Sequence, residues 1–181
     1  YTMSLFKLAG FIKKENKAPY KLLESTTNGV VFGEGATFFV VEKEKKENSI
    51  ASVLDIEILN KLDIEKVESK VISFLASNNL ELTDIDAVVL GYNGDVDSDL
   101  YYKKLSEVTF VETPQVYYKH LSGEYDTASA FGLWVGSKII QNQDIPDIVK
   151  LNAMENETYK TILLYNQRNG IDHSFTLISS C

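Results

Sequence analysis

The chain has 181 residues, 44% of them hydrophobic and 11% aromatic, enough for one domain, or a large part of one, with a real core. Its net charge of −8 leaves no basic surplus to displace the counterions of a nucleic acid, and an anionic lipid surface would repel it. No segment approaches the roughly 18 consecutive apolar residues of a membrane span, and the single cysteine, Cys181, excludes an internal disulfide and suits a reducing, cytoplasmic compartment.

Tyr1 is not an initiator methionine, so either a leader has been removed or the chain begins inside a longer one. Residues 2–14 place Leu5, Leu8 and Phe11/Ile12 at helical spacing, and Lys13 and Lys14 suit a helix C-terminus. An irregular stretch begins at Pro19 and runs to the turn signal Asn28-Gly29. Gly33-Glu34-Gly35-Ala36 then reads as a glycine-punctuated turn feeding a run from Ala36 to Glu42. The continuous Phe38, Phe39, Val40 and Val41 predict a strand buried on both faces. Two glycines around one glutamate imply close backbone packing or positive φ, with the Glu34 carboxylate paired to an amide or a cation. The plain alternative is a structural turn.

Residues 43–49 are a solvated charge run, and Ile50 to Leu59 form a long β-branched strand. Ile64 to Asn78 is an amphipathic helix with the stripe Ile64, Val67, Val71, Phe74 and Leu75. Thr83 to Asp86 turns the chain into Ala87 to Leu90, an apolar run typical of a central strand. A loop with three aspartates follows, in which Ser98 or Asp99 can cap a helix through Leu105. Thr109 to Val111 and Val116 to Tyr118 are strand-like, split by Pro114. Tyr125 to Gln141 is a helix whose Ala128, Ser129, Ala130, Gly132 and Gly136 let another backbone approach; Pro146 ends the segment. Thr161 to Tyr165 and Ser174 to Ile178 complete the strands. The alternation predicts a layered α/β/α domain.

Few constellations carry chemistry. The loop Tyr92 to Asp99 has three aspartates but lacks the sixth-position glycine and twelfth-position glutamate of a calcium loop. His120 and His173 have no second His or Cys at zinc-ligand spacing. No GxSxG elbow is present, and no third glycine completes a dinucleotide fingerprint after Gly33-Glu34-Gly35. Cys181, the last residue, lacks the packed shell that would activate a nucleophile. The segment Lys119 to Glu124 sits between a strand and the small-residue helix. Its plain reading is a surface lysine and a helix-capping glutamate.

Three segments, in order and at matching spacing, resemble the C-terminal part of a β-ketoacyl-acyl carrier protein synthase, of the thiolase-like condensing enzymes. Gly29 to Ala36, followed by Val40-Val41-Glu42, is similar to that family's G-x-x-x-GEGA strand. Lys119 to Ala130 resembles its K-x-x-x-GH-x-x-x-A-x-A helix entry. Ile162 to Asn166 resembles the strand before its asparagine and glycine-rich loop, and the helix ending at Ile145-Pro146 also fits. The resemblance implies a thiolase-like fold with a mixed five-stranded sheet. It assigns residues 1–48 to the end of the N-terminal half and 49–181 to the C-terminal half.

The resemblance also picks out three positions for a catalytic set: Lys119, Glu124 and Asn93. The lysine is retained. Glu124 stands where the family has its second histidine, and Asn93 is nearest the first histidine, in a region reading Tyr92-Asn93-Gly94-Asp95. The glycine-rich loop after the asparagine reads Gln167-Arg168-Asn169-Gly170-Ile171, and the segment carrying the family's cysteine nucleophile is missing. Condensation needs donors at the thioester oxygen. A lone carboxylate at ~4 Å from the developing charge would cost on the order of 4 kcal/mol, about three decades in rate. The resemblance therefore implies a degenerate, chain-length-factor-like partner in fatty-acid or polyketide-type biosynthesis, such as aryl-polyene assembly. It would pair as a homodimer, or as a heterodimer with an active ketosynthase, and dock an acyl carrier protein, with no cofactor and no metal. The alternatives are an active acyltransferase whose nucleophile lies upstream, and an unrelated α/β interaction module.

Overall fold

The computed structural model describes residues 2–13 and 21–181. Lys14 and Pro19, singled out above, lie outside the described residues. The chain order is α1 (Thr2–Leu8), β1 (Ala51–Asn60), α2 (Val67–Ser77), β2 (Ala87–Leu90), α3 (Asp99–Lys104), β3 (Gln115–Tyr117), α4 (Lys119–Ser122), α5 (Ala128–Asn142), β4 (Thr161–Arg168) and β5 (Asp172–Ser180). The strands form one five-stranded sheet in the order β1-β5-β4-β2-β3. β5 runs antiparallel to both β1 and β4, whereas β2 runs parallel to β3 and β4, so the sheet is mixed as the resemblance implies.

Alternation along the strands builds one core on each face. Val88 and Leu90 of β2, with Leu163, Tyr165, Phe175 and Leu177, pack under Val71, Phe74 and Leu75 of α2 and Tyr102 of α3. Ala87 and Val89, with Ile162, Leu164 and Ile178, pack under Val135, Ile139 and Ile140 of α5. All four residues of β2 are buried, which explains their unbroken apolar run. The layered α/β/α arrangement follows.

Several local expectations are corrected. The first helix stops at Leu8. Gly10, at φ +82°, closes it, with the Gly10 N–H donating to Lys7 O and the Phe11 N–H to Phe6 O. Phe11 and Ile12 are therefore extended, and Ile12 bridges Val30. The interior strand expected over Ala36–Val41 is absent. That run belongs to no strand, and Phe38, Val40 and Val41 are 91%, 93% and 84% exposed. An apolar run becomes a strand only beside another strand, and this one lies along neither edge of the sheet. Glu34 is exposed and accepts no hydrogen bond among the described residues. Thr109–Val111 is not a strand either. It ends a π-type turn over Leu105–Thr109, with the Phe110 N–H donating to Leu105 O at 2.8 Å and the Phe110 ring buried.

Candidate functional site

The strand β2 ends at Leu90 and delivers the loop 91–98 to the carboxyl end of the parallel strands, where α/β sheets place ligands. The aspartates of that loop are hydrogen-bond acceptors. Asp95 takes the Ser98 N–H at 2.8 Å and also the Gly29 N–H, and Asp97 takes the Asn28 side-chain amide. Neither Ser98 nor Asp99 caps α3 with its side chain. Asp99 turns back instead and accepts the N–H groups of Asn93 at 3.0 Å and Gly94 at 2.9 Å. Burial pushes its carboxyl up to about 6, against those two amides and the Lys119 ammonium, which favour the anion.

The three positions picked out by the resemblance converge. Lys119 begins α4, and its Nζ donates to Glu124 Oε2 at 2.7 Å. Asn93 Nδ2 donates to the same oxygen at 3.0 Å. The Lys119 side chain is 4% exposed and that of Glu124 21%, so the lysine is no surface residue. Glu124 does not cap α5, which starts four residues later. Its main chain is fixed instead by the glycine corner. The Glu124 N–H donates to Val31 O at 2.9 Å and the Gly33 N–H to Glu124 O at 3.0 Å, so Phe32 and Glu124 form a parallel bridge.

The corner thus has a purpose other than entering a strand. A Cβ on Gly33 would run into the Ser122 carbonyl oxygen, and one on Gly123 would sit 2.6 Å from Gly33 Cα. Gly33 does not have positive φ; close approach alone requires it. Gly123, at φ +71° and ψ −175°, also occupies a region open in practice only to glycine. The small residues of α5 act similarly, but they admit side chains rather than another backbone. Gly132 faces the Tyr118 ring and Gly136 the Ile178 methyl.

The cluster opens into a cavity of about 420 Å³, walled on its apolar side by Phe6, Phe11, Val30, Phe32 and Ile58. Phe6 packs edge-on against Phe11 at 5.9 Å and lies 5.7 Å from Phe32. Asn166, on β4, lines the opposite side. Its Oδ1 accepts the Tyr118 hydroxyl at 2.6 Å, which turns Nδ2 into the donor available to the cavity. Burial holds the Tyr118 phenol far above its ordinary value, with Glu124 acting in the same direction, so Tyr118 is a neutral donor. Residue chemistry alone does not single out Tyr118 or Asp99; only Asn166 has a sequence signal, its place after an apolar strand.

The two histidines are apart from each other. His120 Nε2 bonds Ile148 O at 2.7 Å and its ring stacks on Tyr117. His173 also lines the cavity, its Nδ1 2.9 Å from the Tyr165 hydroxyl, and burial lowers its basicity. Among the described residues no group of three His, Cys, Asp or Glu side chains is arranged to hold a metal ion. Among the described residues no helix is long and apolar enough to cross a membrane.

No family model and no curated protein matches the chain by sequence. Solved structures do match. The ishigamide ketosynthase/chain length factor aligns at TM-score 0.70 and 14% identity, over 99% of this chain and 51% of that one. The ketosynthase AntDE, solved with the type II polyketide acyl-carrier protein AntF and bound to the hexaketide, aligns at TM-score 0.71 and 12% identity, over 99% and 53%. A β-ketoacyl synthase from Burkholderia phymatum STM815 aligns at 0.61 and 13%, over 99% and 52%. The chain spans about half the length of these ketosynthase chains. With its mixed five-stranded sheet between helices, it has the fold of one half of a thiolase-like ketosynthase.

Proposed function

We propose that this chain is a condensing-enzyme half whose site does not carry out condensation, and that it serves as a chain-length-factor-like partner of an active ketosynthase in fatty-acid or polyketide-type assembly. One observation carries the reading. Glu124 Oε2 takes both Lys119 Nζ and the Asn93 amide, so the two donors that would face a thioester oxygen are occupied by a carboxylate. Pairing with Lys119 offsets part of the repulsion expected from a lone glutamate. It also removes the donors an enolate oxygen requires. On this reading the cavity holds or shapes an acyl chain delivered by an acyl carrier protein, in a homodimer or in a heterodimer with the active subunit.

Residues 1–48 would close the N-terminal half and 49–181 form the C-terminal half. The exposed run Phe38–Val41 would then pair with strands of that preceding half. The rival reading is an active acyltransferase with its nucleophile upstream; it is favoured by the retained, buried Lys119. Incubation with acyl- and malonyl-loaded carrier protein distinguishes them. The expected result is no condensation by the chain alone. Turnover above a Lys119→Met control would overturn the partner reading. Co-purification with a co-expressed ketosynthase would support it.

A further inference from the structure

The cavity offers its two sides unequally. Glu124 Oε2 is occupied twice, but Oε1 has no partner among the described residues and belongs to a side chain that lines the cavity. A carboxylate oxygen in that setting only accepts. Four carboxylates, of Asp95, Glu124, Asp126 and Asp172, line the cavity against two cations, of Lys119 and Arg168. Lys119 is committed to Glu124, and Arg168 lies between Asp126 at 3.8 Å and Asp172 at 3.7 Å. Among the described residues, the four carboxylates outnumber the two cations, which disfavours an anionic head group here. The aromatic part of the lining suits an apolar body.

We infer that the cavity selects a neutral amphiphile that presents a hydroxyl to Glu124 Oε1, with its hydrocarbon against Phe6, Phe11 and Phe32, over the matching ester or carboxylate. This rests on the reading of the cavity as an acyl site. It adds that the group held there is a hydroxyl on the chain, such as a reduced β-carbon carries, which can donate to Glu124 Oε1 and accept from Asn166 Nδ2, where a carbonyl can only accept.

The test titrates the full chain at pH 7 with 1-octanol, methyl octanoate and sodium octanoate, each below its own solubility limit. The side-chain amide signals of Asn93 and Asn166 report binding and its location. The expected result is at least tenfold tighter binding of 1-octanol than of methyl octanoate, with octanoate weakest. In Glu124→Gln the amide oxygen stays on Lys119 and Asn93, so the amide nitrogen turns to the cavity. The alcohol-to-ester preference should then fall at least tenfold. An ester or octanoate bound as tightly as the alcohol, or an unchanged preference in a folded Glu124→Gln protein, overturns the inference. Should that variant fail to fold, the wild-type ranking decides by itself. Saturable binding of none of the three overturns the acyl-site reading as well, whereas a wrong ranking overturns only the hydroxyl preference.

Discussion

Asp99 is 6% exposed behind the loop that carries Asn93, and both of its oxygens hold backbone amides of that loop. The groups facing it are the Lys119 ammonium and Asp95, with Lys13 and Tyr92 also within electrostatic reach. Burial wins, and its carboxyl titrates near 6 instead of near 3.8. A raised acid pKa means the folded state holds the proton more tightly than the unfolded chain does. The contribution of Asp99 is therefore most favourable below pH 4 and declines as pH rises through 6, by about 3 kcal/mol in all. Subtracting the urea-unfolding stability of Asp99→Asn from that of wild type across pH 4–7 should isolate this downward slope. A carboxyl-carbon NMR midpoint near 4 would contradict it. At the neighbouring ion pair, Lys119→Met leaves Glu124 without its cation while the Asn93 amide remains. Because Glu124 keeps some contact with water, the loss should be about 2–3 kcal/mol, toward the low end for broken buried pairs, as measured by denaturant unfolding.

The elements divide into those the residues announce and those they do not. α2, β1, β2, β4 and β5 lie within a few residues of their predicted spans; in α2, β2, β4 and β5 periodicity and β-branching agree with the burial they receive, whereas β1 has no buried residue and follows its β-branching alone. Ala36–Val41 shows the opposite case. Its composition is that of an interior strand, but a strand is a pairwise object and composition does not supply the partner. The resemblance to condensing enzymes leans most on that run, yet the fold likeness stands on the sheet β1–β5 instead. The convergence of Lys119, Glu124 and Asn93 was legible only through the resemblance, since 26 residues separate Asn93 from Lys119 and only folding joins them. The glycine corner gives a paired prediction. Gly33→Ala drives a methyl into the Ser122 carbonyl, so backbone must move, and the cost should be about 2–3 kcal/mol. Gly35→Ala meets only the Tyr125 side chain, its hydroxyl at 2.7 Å and Cζ at 3.0 Å, the far end of a side chain that can swing away, and should cost within about 0.5 kcal/mol. Thermal unfolding of the two proteins side by side checks the contrast.

For the molecule as a whole, the charge of −8 opposes self-association while the uncovered apolar surface favours it. Phe38, Val40 and Val41 project into solvent, and Leu54, Ile56 and Ile58 stand 49%, 54% and 77% exposed on the edge strand β1. Edge strands with such side chains associate readily. The double variant Phe38→Ser/Val40→Ser should raise the monomer fraction in sedimentation velocity without lowering the melting temperature. A lower melting temperature would mean that this run is packed after all. The bridge between Phe32 and Glu124 links that surface to the interior. Three residues separate Phe32 from the first solvent-facing side chain of the run, Ala36. The main chain of Glu124 is therefore joined to the outermost part of the molecule by a short length of backbone. The surface run and the carboxylate beside the cavity thus hang on one short stretch of backbone, Phe32 to Ala36.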